Sequence, residues 1–198
     1  MRDLLQYAFD FFAYVLPGLV ILFALSLLFI PIEGLDDLFE KTEKINTGIA
    51  TVAVIVSYII GFAIYPFGRH LYRTLGFKIW KKKILNDVDL FVSDKFALVR
   101  EKSPANFKYI EIWNIYCAMS HNFAISSAVL FIVCLIKLAQ NNTNWMIWAG
   151  LGVFTIFLFF VFLHRAVIFF HWSAHDMNAT ISRLKLDGKP TKKAGKKK

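Results

Sequence analysis

Four apolar runs, each long enough to cross a bilayer as a helix, constrain this chain more than any other feature of its sequence. A hydrocarbon core of ~30 Å takes ~20 helical residues, because lipid offers no water to backbone N–H and C=O groups. The runs cover residues 11–30, about 48–67, about 122–139 and about 145–163. The predicted fold class is therefore all-α: an integral membrane four-helix protein. With 57% hydrophobic residues and 21 phenylalanines in a chain of 198, a soluble domain of this size could not hide its apolar surface. The first run carries no charge, exceeds a typical signal-peptide core, and ends in Ile30-Pro31-Ile32-Glu33, which lacks a small-residue cleavage pattern; it is expected to be a retained span.

Orientation follows from the basic residues in the connections. Residues 31–47 carry a net charge of −3, residues 68–121 a net +5 and residues 164–198 a net +7. The first connection is expected outside, and the 68–121 loop, with its helical segments, and both termini in the cytoplasm. Residues 140–144 are uncharged and short, so the third and fourth spans should form an antiparallel hairpin. Lys137, near the end of the third span, is expected to snorkel to the interface. The overall charge of +9 thus reads first as a topology signal.

Helix signals extend two of the spans into the cytoplasm. Ser103-Pro104 places an N-cap residue before a proline at the first helical position, and no Gly or Pro interrupts residues 105–139. The fourth helix likewise has no proline from Trp145 to about Ser182, with Gly188 and Pro190 expected to end it. Residues 186–198 read as a basic, disordered tail.

Within the spans, Pro17-Gly18 marks a kink, because proline removes a backbone donor and glycine loosens the next turn. It reads either as a hinge or pore-lining bend or as a packing kink. Ala53, Ser57 and Gly61 recur every four residues, a ridge of small side chains that lets another backbone approach closely; Ala124 and Ala128 form a shorter version. Such faces serve contacts within the chain or between subunits, and the sequence leaves both open. Lys78, Lys81, Lys82 and Lys83 around Trp80, with Phe77 and Ile84 on one helical side, suit an anionic leaflet or a partner surface. No aromatic stacking platform accompanies this charge or the lysine tail, so direct nucleic-acid binding is not predicted.

The histidines are the sharpest candidates for chemistry. His164, His171 and His175 are spaced by seven and four residues on one face of the fourth helix, near Arg165 and Asp176. A His-x3-His pair binds metal only with further ligands, which His121 or Glu111 would have to supply, so no metal is predicted. Asp10 and Arg165, at one level of the bilayer, could form an ion pair, completing a polar cluster of Asp10, His164, Arg165, His171 and His175. Cys117 and Cys134 read as buried hydrophobes without a disulfide. Phosphate-binding glycine loops, zinc-protease and serine-hydrolase motifs and Cys-x-x-Cys are absent, and no cofactor or enzymatic activity is expected.

The stretch Phe11-Phe12-Ala13-Tyr14-Val15-Leu16-Pro17-Gly18 and the stretch Ser57-Tyr58-Ile59-Ile60-Gly61 resemble small bacterial membrane proteins, some of them encoded in antiphage defence loci. The size and four-span plan resemble the membrane sensor subunit of the Kiwa system. That resemblance implies an oligomer in the inner membrane bound to a cytoplasmic DNA-binding partner. The expected function is accordingly a membrane-embedded sensor or effector subunit that self-associates and recruits a cytoplasmic protein. The alternatives are a pore former, with Ser57, Ser126, Ser127 and Thr155 facing a conduit, and a membrane enzyme or transporter using the histidine face.

Overall fold

The computed structural model describes residues 9, 11–29, 40, 46–81, 91–140 and 145–186. Asp10, Lys82, Lys83, Ile84, Gly188, Pro190 and the basic tail lie outside the described residues. The described chain is all-α: α1 (Phe11–Phe29), α2 (Thr47–Ile79), α3 (Val92–Lys102), α4 (Pro104–Ala139) and α5 (Trp145–Arg183). Four of these, α1, α2, α4 and α5, are long and apolar enough to cross a membrane.

The antiparallel hairpin of α4 and α5 forms the most extensive packing in the molecule, α1 lies against α2 and α4, and α3 bridges α4 and α5 at the basic end. At 1.5 Å per residue α4 is about 54 Å long and α5 about 58 Å, nearly twice an apolar core of ~30 Å. Both helices therefore leave the bilayer unbroken and carry α3 as a packed head. The second helix also continues past the expected boundary at residue 67, reaching Ile79 through a π-helical turn, Tyr72–Gly76.

The core is three successive clusters. Toward the α4–α5 turn, Ala24 and Leu27 meet Leu130, Val133, Cys134 and Trp148. Tyr72, Cys117, Ala124, Leu163, Ala166 and Val167 follow, joining α2 to the hairpin. In the head, Val99 of α3 meets Ile110, Met177 and Ile181. This last cluster, with Tyr72, Cys117, Ala166 and Val167, lies outside the expected spans, where removal of apolar surface from water contributes about 1.5–3 kcal/mol for each large side chain buried; within the spans the close fit of surfaces and polar contacts must hold the helices together.

Two helix ends differ from their sequence expectation. Pro104 does open α4, but Ser103 makes no capping bond to the backbone; its hydroxyl accepts from Asn106 Nδ2 at 2.9 Å. The fourth helix stops at Arg183, before Gly188, because Lys185 takes a left-handed conformation (φ 52°). The Leu186 N–H then bonds the Ile181 carbonyl at 3.0 Å and the Lys185 N–H bonds that of Ser182 at 3.4 Å, while Leu186 packs on the head cluster with Ile181. This is a Schellman stop built without glycine. Lys137 is 8% exposed, so its stem is packed into the bundle instead of lying along its surface.

Candidate functional site

The polar groups of the bundle gather where α1, α2 and α4 meet, at the Pro17 kink. In an α-helix the N–H of residue 17 would be aimed at the Ala13 carbonyl, but residue 17 is proline and has none. The preceding turn, Phe11–Val15, is π-helical, and the Ala13 carbonyl accepts from Asn122 Nδ2 of α4 at 2.8 Å. Four residues on, the Ser126 hydroxyl lies 2.8 Å from the Pro17 carbonyl and 3.0 Å from that of Asn122, with one proton to share between them. Asn122 and Ser126 are both 0% exposed. A side chain of α4 thus replaces the donor that α1 lacks, which is how a proline kink is satisfied where water is absent.

The other side of the kink is locked by close approach. A β-carbon on Gly18 would overlap the Ser57 backbone of α2, and one on Gly61 would overlap the Tyr14 backbone of α1. The two helices cross with backbone against backbone, which only the missing side chains permit. The same seam continues down α2: Gly68 faces His121 of α4, whose Nδ1 would be 2.5 Å from an added β-carbon, and Gly76 faces Val167 of α5. The Tyr14 ring lies among Tyr58, Phe62 and Tyr65 of α2. His121, 2% exposed, sits edge-on to Tyr65 (4.9 Å) and stacks on Tyr72 (5.5 Å, 16°).

Not every polar atom here is satisfied. Ser57 Oγ, His121 Nδ1 and Asn122 Oδ1 are buried without a hydrogen-bond partner, as is Trp148 Nε1 nearer the α4–α5 turn. A buried polar atom left unpaired costs about 1–3 kcal/mol, so the junction holds its geometry against a local penalty. Chemically it is a clamp: nothing in it pairs a nucleophile with a base, and the Cys117 thiol donates to the Ala166 carbonyl at 3.3 Å. Among the described residues no group of three His, Cys, Asp or Glu could hold a metal ion.

The remaining candidate residues are distributed as follows. Pro17 and Gly18, the hinge candidates, are at the crossing of α1 with α2, where a β-carbon on Gly18 would overlap the Ser57 backbone. Ser57, Gly61 and Ala124 are buried within the chain, so these parts of the small-residue faces already have partners; Ala53 and Ala128 are half-buried. The three histidines do not converge: His164 lies 4.8 Å from Trp80, His171 is half-buried with a partner of its own, and His175 is exposed. Arg165 is exposed, and its proposed partner Asp10 is outside the described residues. Lys78 and Lys81 are exposed, while Trp80 is half-buried on His164 and Phe77 packs on Tyr72 and Phe170, so this aromatic pair joins α2 to α5.

Sequence reasoning missed Asn122, Gly68, Tyr72 and Gly76, and weighed His121 only as a further metal ligand. The signal for the α2 residues was present, because the spacing of Ser57 and Gly61 continues by seven, four and four to Gly68, Tyr72 and Gly76. Asn122 could have been paired with Pro17 by asking what satisfies the orphaned carbonyl. Lys95 of α3 was also missed: it is 2% exposed and donates from Nζ to Asn178 Oδ1 of α5 at 3.1 Å, so a charge sits inside the head. No protein-family model, curated protein or solved structure matches this chain.

Proposed function

We propose that the protein is an oligomeric sensor or effector subunit of a bacterial inner membrane that recruits a protein partner on the cytoplasmic side. The observation that carries this reading is the continuity of α4 and α5, single helices that run from the α4–α5 turn to the head formed with α3. No flexible linker separates the bundle from the head along these two helices. A displacement of α1 is therefore passed through the Asn122 and Ser126 contacts to α4, and along it to a surface beyond the membrane. That surface is suited to a partner, with Phe91, Val92, Tyr109 and Leu184 exposed as large apolar or aromatic side chains on the head. The basic residues at this end support its cytoplasmic location. The resemblance to membrane proteins of antiphage loci supports a role in defence.

Two of the four hydroxyls that a pore would use weigh against that alternative, since Ser126 and Thr155 bond backbone carbonyls inside a single chain. Purification in mild detergent from the native host, with the mass and the co-purifying proteins measured, tests the proposal. An oligomer whose partner is lost in a Tyr109→Glu, Leu184→Glu variant of unchanged mass is expected. A monomer without a partner overturns the proposal, and ion flux in liposomes would favour a pore.

A further inference from the structure

We propose that Arg69 and Arg73, on consecutive turns of α2, form a binding site for the phosphate of one anionic phospholipid at the basic end of the bundle. No Asp or Glu occurs anywhere from Ile45 to Asn86, while Arg69, Arg73, Lys78 and Lys81 are all exposed there. Among the described residues the ion pair present joins Lys102 to its neighbour Glu101 in α3, so no described carboxylate neutralises this band.

Two of these charges are organised. The Arg73 guanidinium lies over the Phe170 ring of α5, 5.5 Å from its centroid. Phe170 is itself set against Tyr72 and Phe77, each at 5.6 Å, so the platform is fixed by aromatic packing. A stacked guanidinium presents its N–H groups at its edge, here partly turned to the Tyr72 hydroxyl, and the remainder is a fork that takes phosphate oxygens in pairs. Arg69 is one turn earlier, about 5–6 Å away between β-carbons.

The occupant is a lipid because of what adjoins the charges. Arg69 follows Phe62 by seven residues, two helical turns on the same side of α2, and Phe62 belongs to an exposed apolar flank with Ile55 and Ile59. A phosphodiester held by the arginines has its acyl chains beside that flank, a complement that free phosphate lacks. Lys78 and Lys81, further along, add a diffuse field. The site draws on the proposed topology only to name the leaflet, and lipid binding in detergent does not depend on that topology, on self-association or on a partner.

Native mass spectrometry of the detergent-purified full chain, titrated with phosphatidylglycerol or phosphatidylcholine of matched acyl chains, tests this site. Each basic residue near an anionic surface contributes roughly fivefold, so one phosphatidylglycerol should bind about 20-fold more tightly than phosphatidylcholine. Arg69→Gln with Arg73→Gln should remove that preference, whereas Lys78→Gln with Lys81→Gln should retain most of it. Phe170→Leu, which keeps both charges but removes the platform, should weaken phosphatidylglycerol binding about threefold. Equal binding of the two lipids by the wild type, an unaltered preference in the double arginine variant, or displacement of the lipid by millimolar inorganic phosphate would each overturn the proposal. If the double arginine variant does not purify as a folded species, the wild-type preference and the Phe170→Leu titration decide.

Discussion

Replacing Asn122 with alanine should destabilise the bundle, and the effect should depend on residue 17. The Asn122 amide is the donor to the Ala13 carbonyl, and Pro17 offers no N–H in its place. An interhelical hydrogen bond within lipid is worth about 0.6 kcal/mol on average and up to about 1.7. The carbonyl left behind is buried, at about 1–3 kcal/mol for an unpaired group. Part of this is returned, because Asn122→Ala also removes the unpartnered Oδ1. The expected net loss is about 1–2 kcal/mol. In a Pro17→Ala background the restored N–H can serve Ala13 within α1, and Asn122→Ala should then cost at most about 0.5 kcal/mol, a coupling energy near 1 kcal/mol. Reversible unfolding on titration of mixed micelles with dodecyl sulfate, followed by circular dichroism, measures all four members of the cycle. Additive effects within about 0.3 kcal/mol would refute the view that Asn122 stands in for the donor proline lacks.

Three further perturbations probe other parts of the chain. Gly18→Ala and Gly61→Ala each place a methyl group into opposing backbone and should cost about 1–3 kcal/mol in the same assay, whereas Gly150→Ala, with no atom within 4 Å of the added carbon, should cost nothing measurable. Lys185→Gly relieves a left-handed lysine and should stabilise the head by about 0.5–1 kcal/mol, read as slower proteolysis near the end of α5; an unchanged rate would mean the Schellman stop is not under strain. Lys95→Met should leave the thermal midpoint equal or higher, because it removes a buried charge at similar volume, while Asn178→Leu should lower it by taking away the ammonium's acceptor; the reverse order would refute this account of the head.

Much of the architecture was legible in the sequence because lipid makes local composition decisive. Any apolar run near 20 residues must be a helix there, and Ser103-Pro104 marked the start of α4 even though the serine does not cap it. The candidate site was half legible. Pro17, Gly18, Ser57 and Gly61 stood out by residue type, but that they face one another is a fact of tertiary packing that no spacing within one helix contains. Asn122 was read as the edge of a span because polar residues usually mark edges. Its burial follows from a need created far away in the chain, the missing N–H of Pro17. The stop at Lys185 was hidden for a different reason: glycine is the usual residue there, and lysine takes its place because the Leu186 contact with Ile181 offsets the strained φ.

The four long helices are unequally buried. α1 is pinned to α4 by two side-chain hydrogen bonds and buries Ala13, Pro17, Gly18, Ile21, Ala24 and Leu27 along its length. α2 buries little besides Ser57, Gly61, Gly68, Tyr72 and Gly76, and four of those five are small. A helix held through smooth, small-residue contact, beside unpaired polar atoms on Ser57 and His121, has less to lose by shifting than one held by hydrogen bonds to its neighbour's backbone. α1, α4 and α5 are thus the more deeply buried helices, and α2 is the most exposed of the four. Its basic end packs through Tyr72, Phe77 and Trp80 on α5, the helix that continues into the head.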